Sequence, residues 1–263
     1  MRDKDHPSDN KGVLTKVAGI LDAFGSPPHQ YTCTEVHLQT GISKASIHRL
    51  MGQLVNVDFL EKSSSGKTYR LGRRLIRLLH FNLDEDVLNL VFRPELQAVA
   101  DRLAEASFAA RLSGSSVELF EVRGPSAENS SFIHPGIGVR PIHVCSSAKC
   151  ILAFQDEEDI ARLLDANLTS ISGFPNADRK SVEKELLYIR RLGFAVCDEE
   201  LEEAVYSVAC PILFDDAHVI YSIGIVAPKS RISESRLERI LEELKTASAH
   251  IANSLGAKAS AAE

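Results

Sequence analysis

The stretch TEVHLQTGISKASIHRLMGQLVN, residues 34–56, decides the fold of the N-terminal part of the chain. Thr34 is placed to cap a short helix that ends near Thr40, and Gly41 supplies the backbone freedom that a sharp turn needs. Ser43 can cap a second helix. That helix has one apolar stripe, formed by Ile47, Leu50, Met51 and Leu54. The stretch therefore predicts a helix-turn-helix, although alone it fits an ordinary helical hairpin about as well.

The outward face of the second helix is polar. It carries Lys44, Ser46, His48, Arg49 and Gln53. A helix of this kind can lie in the major groove of DNA, where Lys44 and Arg49 would contact phosphates and the other three would read base edges. Arg49 could instead form an ion pair between the helices. His37 stands where such units usually carry a small residue, so its ring must point aside or the helices must spread.

Charge is distributed unevenly along the 263 residues, whose formal net charge is −6. Residues 11–80 carry 10 Lys or Arg against 4 Asp or Glu, a net charge of +6. Residues 81–263 carry 18 against 29, a net charge of −11. Because phosphates attract the first segment and repel the second, the asymmetry favours DNA binding over a plain hairpin or a protein-binding domain.

The neighbouring residues complete a winged helix-turn-helix. A preceding helix is predicted from the spacing of Val13, Val17, Ile20, Leu21 and Phe24. Two short strands, 59–62 and 67–71, are predicted to form a basic hairpin around residues 63–66. The Arg73–Arg74 pair that follows would add phosphate contacts. The predicted DNA-binding residues are Thr34, Ser43, Lys44, Ser46, His48, Arg49, Gln53, Lys67, Thr68 and Tyr69.

An apolar seam after the wing indicates a connecting helix that packs on a partner subunit. The seam consists of Leu75, Leu78, Leu79 and Leu83. Pro94 is predicted to begin the next helix. Beyond it we expect strands at 108–112, 117–122, 130–134, 194–197, 207–214 and 219–226, and helices at 148–154, 157–166 and 177–192, with a final helix capped by Ser233. This pattern predicts an α+β domain in which helices pack on a sheet.

Composition excludes several other classes. The apolar and charged fractions, 44% and 25%, are typical of a soluble globular protein. No apolar run reaches membrane-spanning length and the first residues lack a signal-peptide core, so we expect a cytoplasmic protein without membrane contact. The five cysteines include no CxxC pair, which suits a reducing compartment.

Several motifs keep the order of a known family along nearly the whole chain. They are TEVHLQTGISKASIHRLMGQLVNVDFLEK, YRLGRRL, GVRPIHVCSSAKCILAF, RRLGFAVCDEELEEAVYSVACPI and IGIVAPKSRIS. Over about residues 11–256 the chain thereby resembles the IclR family of transcription regulators. The resemblance implies a winged helix-turn-helix DNA-binding domain (11–72), a linker and dimerisation helix (73–92) and a GAF-like α/β effector-binding domain (93–256).

The resemblance also implies partners and a ligand site. Expected partners are double-stranded operator DNA, a small-molecule effector and further copies of the chain in a homodimer or homotetramer, with no cofactor and no enzymatic activity. Positions matching the family's pocket are Cys197, Ser207, Gly224 and Val226. Family members more often carry acidic or hydroxyl-bearing residues there, so a very small, highly oxidised acid is disfavoured and an organic or aromatic acid is expected.

Four further residues are predicted to bind the effector: Cys145, Ser146, Ser147 and Ala148. They open a helix after an extended run at 140–144, and free N–H groups with two hydroxyls at a helix N-terminus suit a carboxylate. A serine cap on a structural helix explains them equally well without the resemblance. Ala148 stands where the family usually has glycine.

Catalytic and metal chemistry find little support in the sequence. His143, Cys145 and Cys150 lie close together and Cys197 could join them, but the spacing of a structural zinc site does not occur. The acidic run 198–203 is typical of a solvated surface or a pocket lid. His134 has no identifiable serine or acid partner. The alternative is a cytoplasmic hydrolase or redox sensor with an accessory winged helix, since a thiol at a helix N-terminus, as predicted for Cys145, is suited to redox chemistry.

Overall fold

The computed structural model describes residues 12–25, 28–63, 66–72, 74–75, 78, 85–127, 131–167, 178–214 and 218–255. The chain separates into two units, Met1–Leu83 and Asp84–Glu263. The first contains helices and a two-stranded hairpin, and the second is built on a six-stranded sheet. This mixture of helix and sheet confirms the predicted fold class. The finer boundaries at 11–72, 73–92 and 93–256 stay predictions.

The first unit has its helices in the predicted places. They are α1 (Val13–Ala23), α2 (Cys33–Thr40) and α3 (Lys44–Asn56). Gly41 ends α2 with φ 68°, and Ser43 caps α3, as predicted. The core of the unit is formed by Ile20, Phe24, Tyr31, Val36, Ile42, Ile47, Leu50, Met51, Leu54 and Leu60. The apolar stripe predicted for α3 is therefore confirmed as buried.

The N-terminus of α2 differs from the prediction. Thr32, not Thr34, is the capping residue: its hydroxyl accepts a hydrogen bond from the N–H of Glu35, 3.3 Å away. The Glu35 carboxylate in turn accepts from the N–H of Thr32 at 2.7 Å. This reciprocal pair needs a glutamate three residues after the cap, which only Thr32 has. Thr34 lies in the first turn, where its side chain is exposed.

The wing consists of β1 (Leu60–Lys62) and β2 (Tyr69–Leu71), which pair antiparallel. Tyr31 extends this pairing: its N–H donates to the carbonyl of Tyr69 at 3.0 Å, and the N–H of Tyr69 donates back at 2.8 Å. The strands are shorter than predicted. Part of the predicted hairpin tip, residues 64 and 65, lies outside the described residues.

The second unit begins with α4 (Glu85–Leu103), which contains Pro94 in its interior. The prediction that Pro94 begins a helix is therefore wrong. Proline removes one backbone hydrogen bond from a helix interior, but the buried face continues on both sides of it, with Leu88 and Phe92 before and Leu96 after. Burial of this face offsets the missing bond. Part of the predicted connecting helix (73–92), namely residues 73, 76, 77 and 79–84, lies outside the described residues, and with it Leu79 and Leu83.

The sheet is antiparallel with the order β5-β4-β3-β8-β7-β6. Its strands are β3 (Ala106–Ser113), β4 (Ser116–Arg123), β5 (Gly138–Arg140), β6 (Ala195–Asp198), β7 (Val205–Phe214) and β8 (His218–Pro228). Five of the six predicted strands are confirmed, and each of their ends lies within two residues of the predicted one. Residues 215–217, which connect β7 to β8, lie outside the described residues.

Two extended segments were predicted wrongly. Residues 131–134, which include His134, form no strand, because the carbonyl of Ser131 accepts a hydrogen bond from the Arg231 guanidinium at 2.9 Å instead of pairing with a strand. Residues 142–144 form a turn instead of continuing an extended run. Pro141 precedes that turn, and its carbonyl accepts from the N–H of Cys145 at 3.2 Å.

Helices cover both faces of the sheet. They are α5 (Ser146–Leu152), α6 (Glu157–Asn167), α7 (Arg179–Leu192) and α8 (Glu234–Ser254), the last capped by Ser233 as predicted. On one face the Ser107 hydroxyl donates to the Leu96 carbonyl of α4 at 2.7 Å. On the other, the Ser222 hydroxyl donates to the Ser147 carbonyl of α5 at 3.1 Å. None of the helices within the described ranges is long and apolar enough to span a membrane.

Candidate DNA-binding surface and effector site

The outward face of α3 is exposed and carries positive charge. Lys44, His48, Arg49 and Gln53 are exposed, opposite the buried stripe. Ser46 is half-buried, and its hydroxyl accepts a hydrogen bond from that of Ser43 at 3.0 Å. The ion pair considered for Arg49 does not occur among the described residues. The side chains of Lys44 and Arg49 are thus available to an external anion.

The turn between α2 and α3 is stabilised by His37. Its Nδ1 lies 2.6 Å from the carbonyl oxygen of Ile42, so this nitrogen carries the proton and donates to the carbonyl. The N–H of Gly41 also donates to the carbonyl of His37, at 2.9 Å. The ring therefore points aside over the turn, the first of the two outcomes expected for a large residue there.

The wing holds its basic side chains against its own residues. The ammonium of Lys62 lies 5.7 Å from the centre of the Tyr69 ring, and Arg70 pairs with Glu61. Burial, followed by a hydrogen bond with Cys33, raises the pKa of Tyr69. Thr68 is tied to Ser63, whose N–H donates to the Thr68 carbonyl at 2.9 Å. Contacts among its own residues thus stabilise the wing.

Just outside the wing, the guanidinium of Arg74 stacks 5.7 Å from the centre of the Phe59 ring. Lys67 also has an interaction partner. Arg73 lies outside the described residues. Of the cations predicted to meet phosphate, Lys44 and Arg49 on α3 are thus the least engaged within the described part of the chain.

The predicted effector residues at the start of α5 are buried. Ser146, Ser147 and Ala148 have no exposed surface, and Cys145 is 6% exposed. The hydroxyl oxygen of Ser146 lies 2.7 Å from that of Ser207, and the Cys145 sulfur lies 3.2 Å from the Ser147 hydroxyl. These hydroxyls therefore bond to neighbouring side chains.

The sheet brings three of the other predicted residues side by side. Cys197 pairs with Ser207 across β6 and β7, and Ser207 pairs with Val226 across β7 and β8. Directly opposed residues point to the same face of a sheet, so these side chains form one row. The Ser146 hydroxyl joins this row through Ser207. Sequence positions between 146 and 226 thereby converge on one place.

Gly224, the remaining predicted residue, is covered by Phe108. The two residues pair across β3 and β8, and a Cβ added to Gly224 would lie 2.4 Å from the tip of the Phe108 ring. It would also lie 2.3 Å from the carbonyl oxygen of Val208. Glycine is therefore required here for packing, and the Phe108 ring separates the Gly224 backbone from the space above it.

A buried charged cluster lies beside this row. Lys149, in α5, has no exposed side-chain surface. Its ammonium donates to Glu185 of α7 at 2.7 Å and to both carboxylate oxygens of Glu200 at 2.8 and 2.9 Å. Burial lowers the pKa of Lys149, but the hydrogen bonds to the two carboxylates outweigh it, so the pKa lies above its usual value. Lys149 is thus a cation in the folded protein.

The cluster acts electrostatically on the predicted site. Burial raises the pKa of Cys197 to about 11, and the negative charge of Glu200 adds to the rise. Burial likewise lowers the pKa of His143, against the opposing effect of Glu200. The Nδ1 atom of His143 is buried without a hydrogen-bond partner among the described residues. The row and the cluster therefore share one electrostatic environment.

Sequence reasoning missed Lys149, Glu185 and Phe108 as parts of this site. Glu200 was seen only as one member of an acidic surface run. One signal was present: Lys149 stands in CSSAKCILAF, where most neighbours are apolar or small. A lysine inside such a helix has to be paired, because an unpaired buried charge is very costly.

Neither metal chemistry nor thiol chemistry is supported by the geometry. Among the described residues, no group of three or more His, Cys, Asp or Glu could hold a metal ion. All five cysteines are free. Burial raises the pKa of Cys210 to about 12 and that of Cys150 well above the ordinary value. Since the thiolate is the reactive form, Cys150, Cys197 and Cys210 are poorly suited to redox sensing.

Comparison with known proteins agrees with this architecture. Residues 13–64 match the IclR helix-turn-helix domain, and residues 82–253 match the C-terminal domain of bacterial transcriptional regulators of the IclR type. The Pca regulon regulatory protein of Pseudomonas putida is 26% identical over 245 residues, covering 92% of this chain and 83% of that protein. The regulator XynR of Escherichia coli is 25% identical, covering 90% and 94%.

Solved structures share the fold as well. An IclR homologue from Microbacterium hydrocarbonoxydans, crystallised with 4-hydroxybenzoate, superposes with a TM-score of 0.56 at 24% identity, covering 94% of this chain and all of that one. Both units of the chain are thus those of DNA-binding regulators and not of an enzyme. The chain belongs to the IclR family of bacterial transcription regulators.

Proposed function

We propose that this regulator controls a metabolic or catabolic operon by binding its operator sequence-specifically, in response to a small organic or aromatic acid. The observation that carries the proposal is the exposed face of α3, on which Lys44 and Arg49 have no partner among the described residues. Relatives named for the Pca regulon support a catabolic role.

Recognition would divide between phosphates and bases. Lys44, Arg49 and Lys67 would contact phosphates and give an affinity that falls with salt. His48 and Gln53 would read base edges, each good bidentate contact discriminating by about 1–3 kcal/mol. The remaining proposed contacts to DNA are made by Thr34, Ser43, Ser46, Thr68 and Tyr69.

The effector would bind where α5 meets the row on the sheet. Ser146 and Ser207 would supply hydroxyls, and Val226 an apolar wall. Cys145, Ser147, Ala148 and Cys197 complete the proposed site, with Gly224 contributing indirectly by making room for the Phe108 ring. An apolar wall beside polar groups suits an acid with a hydrocarbon body, and the homologue crystallised with 4-hydroxybenzoate supports this class.

Regulation would require an oligomer whose DNA-binding domains can adopt two arrangements. We propose a homodimer or homotetramer on double-stranded operator DNA. The effector can change operator affinity by no more than its differential affinity for the two arrangements.

The test combines DNA retardation with a thermal-shift screen on the full chain. DNA upstream of its own coding sequence should be retarded, and at least one of benzoate, 4-hydroxybenzoate and hexanoate should raise the melting temperature and change the retardation. Ser146→Ala should weaken that thermal shift, and Ser230→Ala, which removes an exposed hydroxyl, should not. If none of the acids changes either readout, the proposed effector class is wrong.

A further inference from the structure

Two carboxylates compete for one buried cation beside the proposed effector site. Lys149 has no exposed side-chain surface, whereas Glu185 and Glu200 are 40% and 36% exposed. The three groups carry one positive and two negative charges. Lys149 must always face an anion, because leaving it unpaired inside the protein would be very costly. Either glutamate, by contrast, can be hydrated where it stands.

The two glutamates differ in how they are held. Glu185 belongs to α7, whose backbone is fixed by helical hydrogen bonds. Glu200 belongs to the segment between β6 and β7, bounded by Glu199 and Ala204, whose φ angles are 60° and 61°. Lys229 pairs with Glu199 and fastens the start of this segment. The backbone that carries Glu200 can therefore move away from Lys149 without unwinding a helix, whereas Glu185 can leave only by rotation of its side chain.

The position that Glu200 occupies adjoins groups suited to an organic acid. His143 is 5% exposed, and its Nδ1 has no hydrogen-bond partner among the described residues. The Glu200 carboxylate accepts hydrogen bonds from Lys149 at 2.8 and 2.9 Å, and its charge also acts on His143 and Cys197. Val226 and Phe108 supply apolar surface on the same face of the sheet.

We propose that Lys149 recognises the carboxylate of the effector, and that Glu200 is an internal carboxylate which the effector displaces. The exchange preserves the charge balance at Lys149, because one carboxylate replaces another. It moves the segment around Glu200 towards solvent and gives the buried His143 a polar partner. The inference rests on the proposed function, since it concerns the same effector. The ligand class is a monocarboxylate with an apolar body.

The test measures binding of benzoate and methyl benzoate to the full chain by calorimetry. Glu200→Gln weakens the internal competitor, since a charged acceptor bonds to an ammonium more strongly than an amide does. Benzoate should therefore bind at least about tenfold more tightly, and methyl benzoate should not. Glu185→Gln is the matched control. It removes one negative charge beside Lys149, as Glu200→Gln does, but leaves Glu200 in place, so the affinity for benzoate should increase much less.

A second readout follows the segment itself. In the wild-type protein, benzoate should speed hydrogen exchange of the amides at 200–204, as expected if Glu200 leaves Lys149. Lys149→Met should abolish benzoate binding, but because that variant could fail to fold, the Glu200→Gln comparison carries the decision.

The outcomes separate the two proposals. If benzoate affinity increases equally in Glu200→Gln and Glu185→Gln, or does not increase in Glu200→Gln, the displacement of Glu200 by the effector is overturned. The proposal of an acid effector is unaffected by that result. If neither benzoate nor hexanoate binds to any of these proteins although DNA is still retarded, the acid effector and the exchange are both overturned.

Discussion

The hydroxyl oxygens of Ser146 and Ser207 lie 2.7 Å apart, joining the first turn of α5 to the middle of the row formed by Cys197, Ser207 and Val226. The two serines are 61 residues apart in the chain. This single contact connects the helix that opens the proposed effector site to the sheet that forms its floor.

Removing that contact should cost stability. Ser207→Ala is expected to lower the free energy of unfolding by about 1 kcal/mol, the usual value of a hydrogen bond within a protein. Ser146→Ala should cost a similar amount, and the double variant should cost less than the sum because both changes remove one bond. Urea unfolding measures all three. Fully additive costs would show that the serines act independently, and Ser230→Ala serves as the exposed control.

Removing the two exposed cations of α3 should strongly weaken operator retardation. In Lys44→Ala combined with Arg49→Ala, the slope of log affinity against log salt should fall by about 2, since each phosphate contact contributes about 0.9. The fold should survive, because both side chains are exposed. Lys180→Ala with Lys184→Ala removes the same charge from α7 and should leave binding unchanged. An equal loss of DNA affinity in the two double variants would mean that binding depends on the net charge of the protein and not on the exposed face of α3.

Two glycines of the first unit should respond oppositely to alanine. A Cβ at Gly72 would lie 2.3 Å from the carbonyl oxygen of Asp58 and 2.9 Å from the backbone nitrogen of Leu60, so Gly72→Ala should lower unfolding free energy by about 2 kcal/mol. A Cβ at Gly52, inside α3, meets no atom within 4 Å, so Gly52→Ala should raise it by about 1 kcal/mol. Thermal unfolding distinguishes them. A stabilising Gly72→Ala would mean that the wing is not packed against Asp58.

The charge of Glu200 should be measurable at Cys197. Burial is the main cause of the Cys197 pKa of about 11, and Glu200 adds to it, so Glu200→Gln should lower that pKa. The pH at which iodoacetamide begins to label Cys197 should therefore move down, as followed by mass spectrometry in a Cys33→Ser background. Labelling of Cys210, where Glu200 makes no contribution, should keep its pH dependence. An unchanged Cys197 profile would place Glu200 too far away to act on it.

The helix-turn-helix was predictable because its signals are local. The stripe Ile47–Leu54, the positive φ at Gly41 and the cap at Ser43 each depend on residues within one or two helical turns. The cap of α2 was misplaced by two residues because several neighbouring polar residues could serve. Local rules place the element but do not choose between equivalent caps.

The candidate effector site was predictable only in part. The predicted helix N-terminus led to Ser146 and the family resemblance to Ser207, but the partners of Lys149 lie 36 and 51 residues away in the chain, and no periodicity connects them. The strand expected at 130–134 failed for the same reason, since Arg231 binds the Ser131 carbonyl from 100 residues further on. Contacts of this kind are fixed by tertiary packing, which overrides local preference.

The backbone bridge between Tyr31 and Tyr69 has a consequence for how the first unit meets a duplex. Tyr31 directly precedes Thr32, the cap of α2, so the wing is clamped to the start of the helix pair. The wing and the start of α2 are therefore held together by backbone hydrogen bonds. If α3 and the wing contact DNA as proposed, little ordering entropy would be lost on association, and adaptation would fall to the DNA, whose deformability would then contribute to recognition.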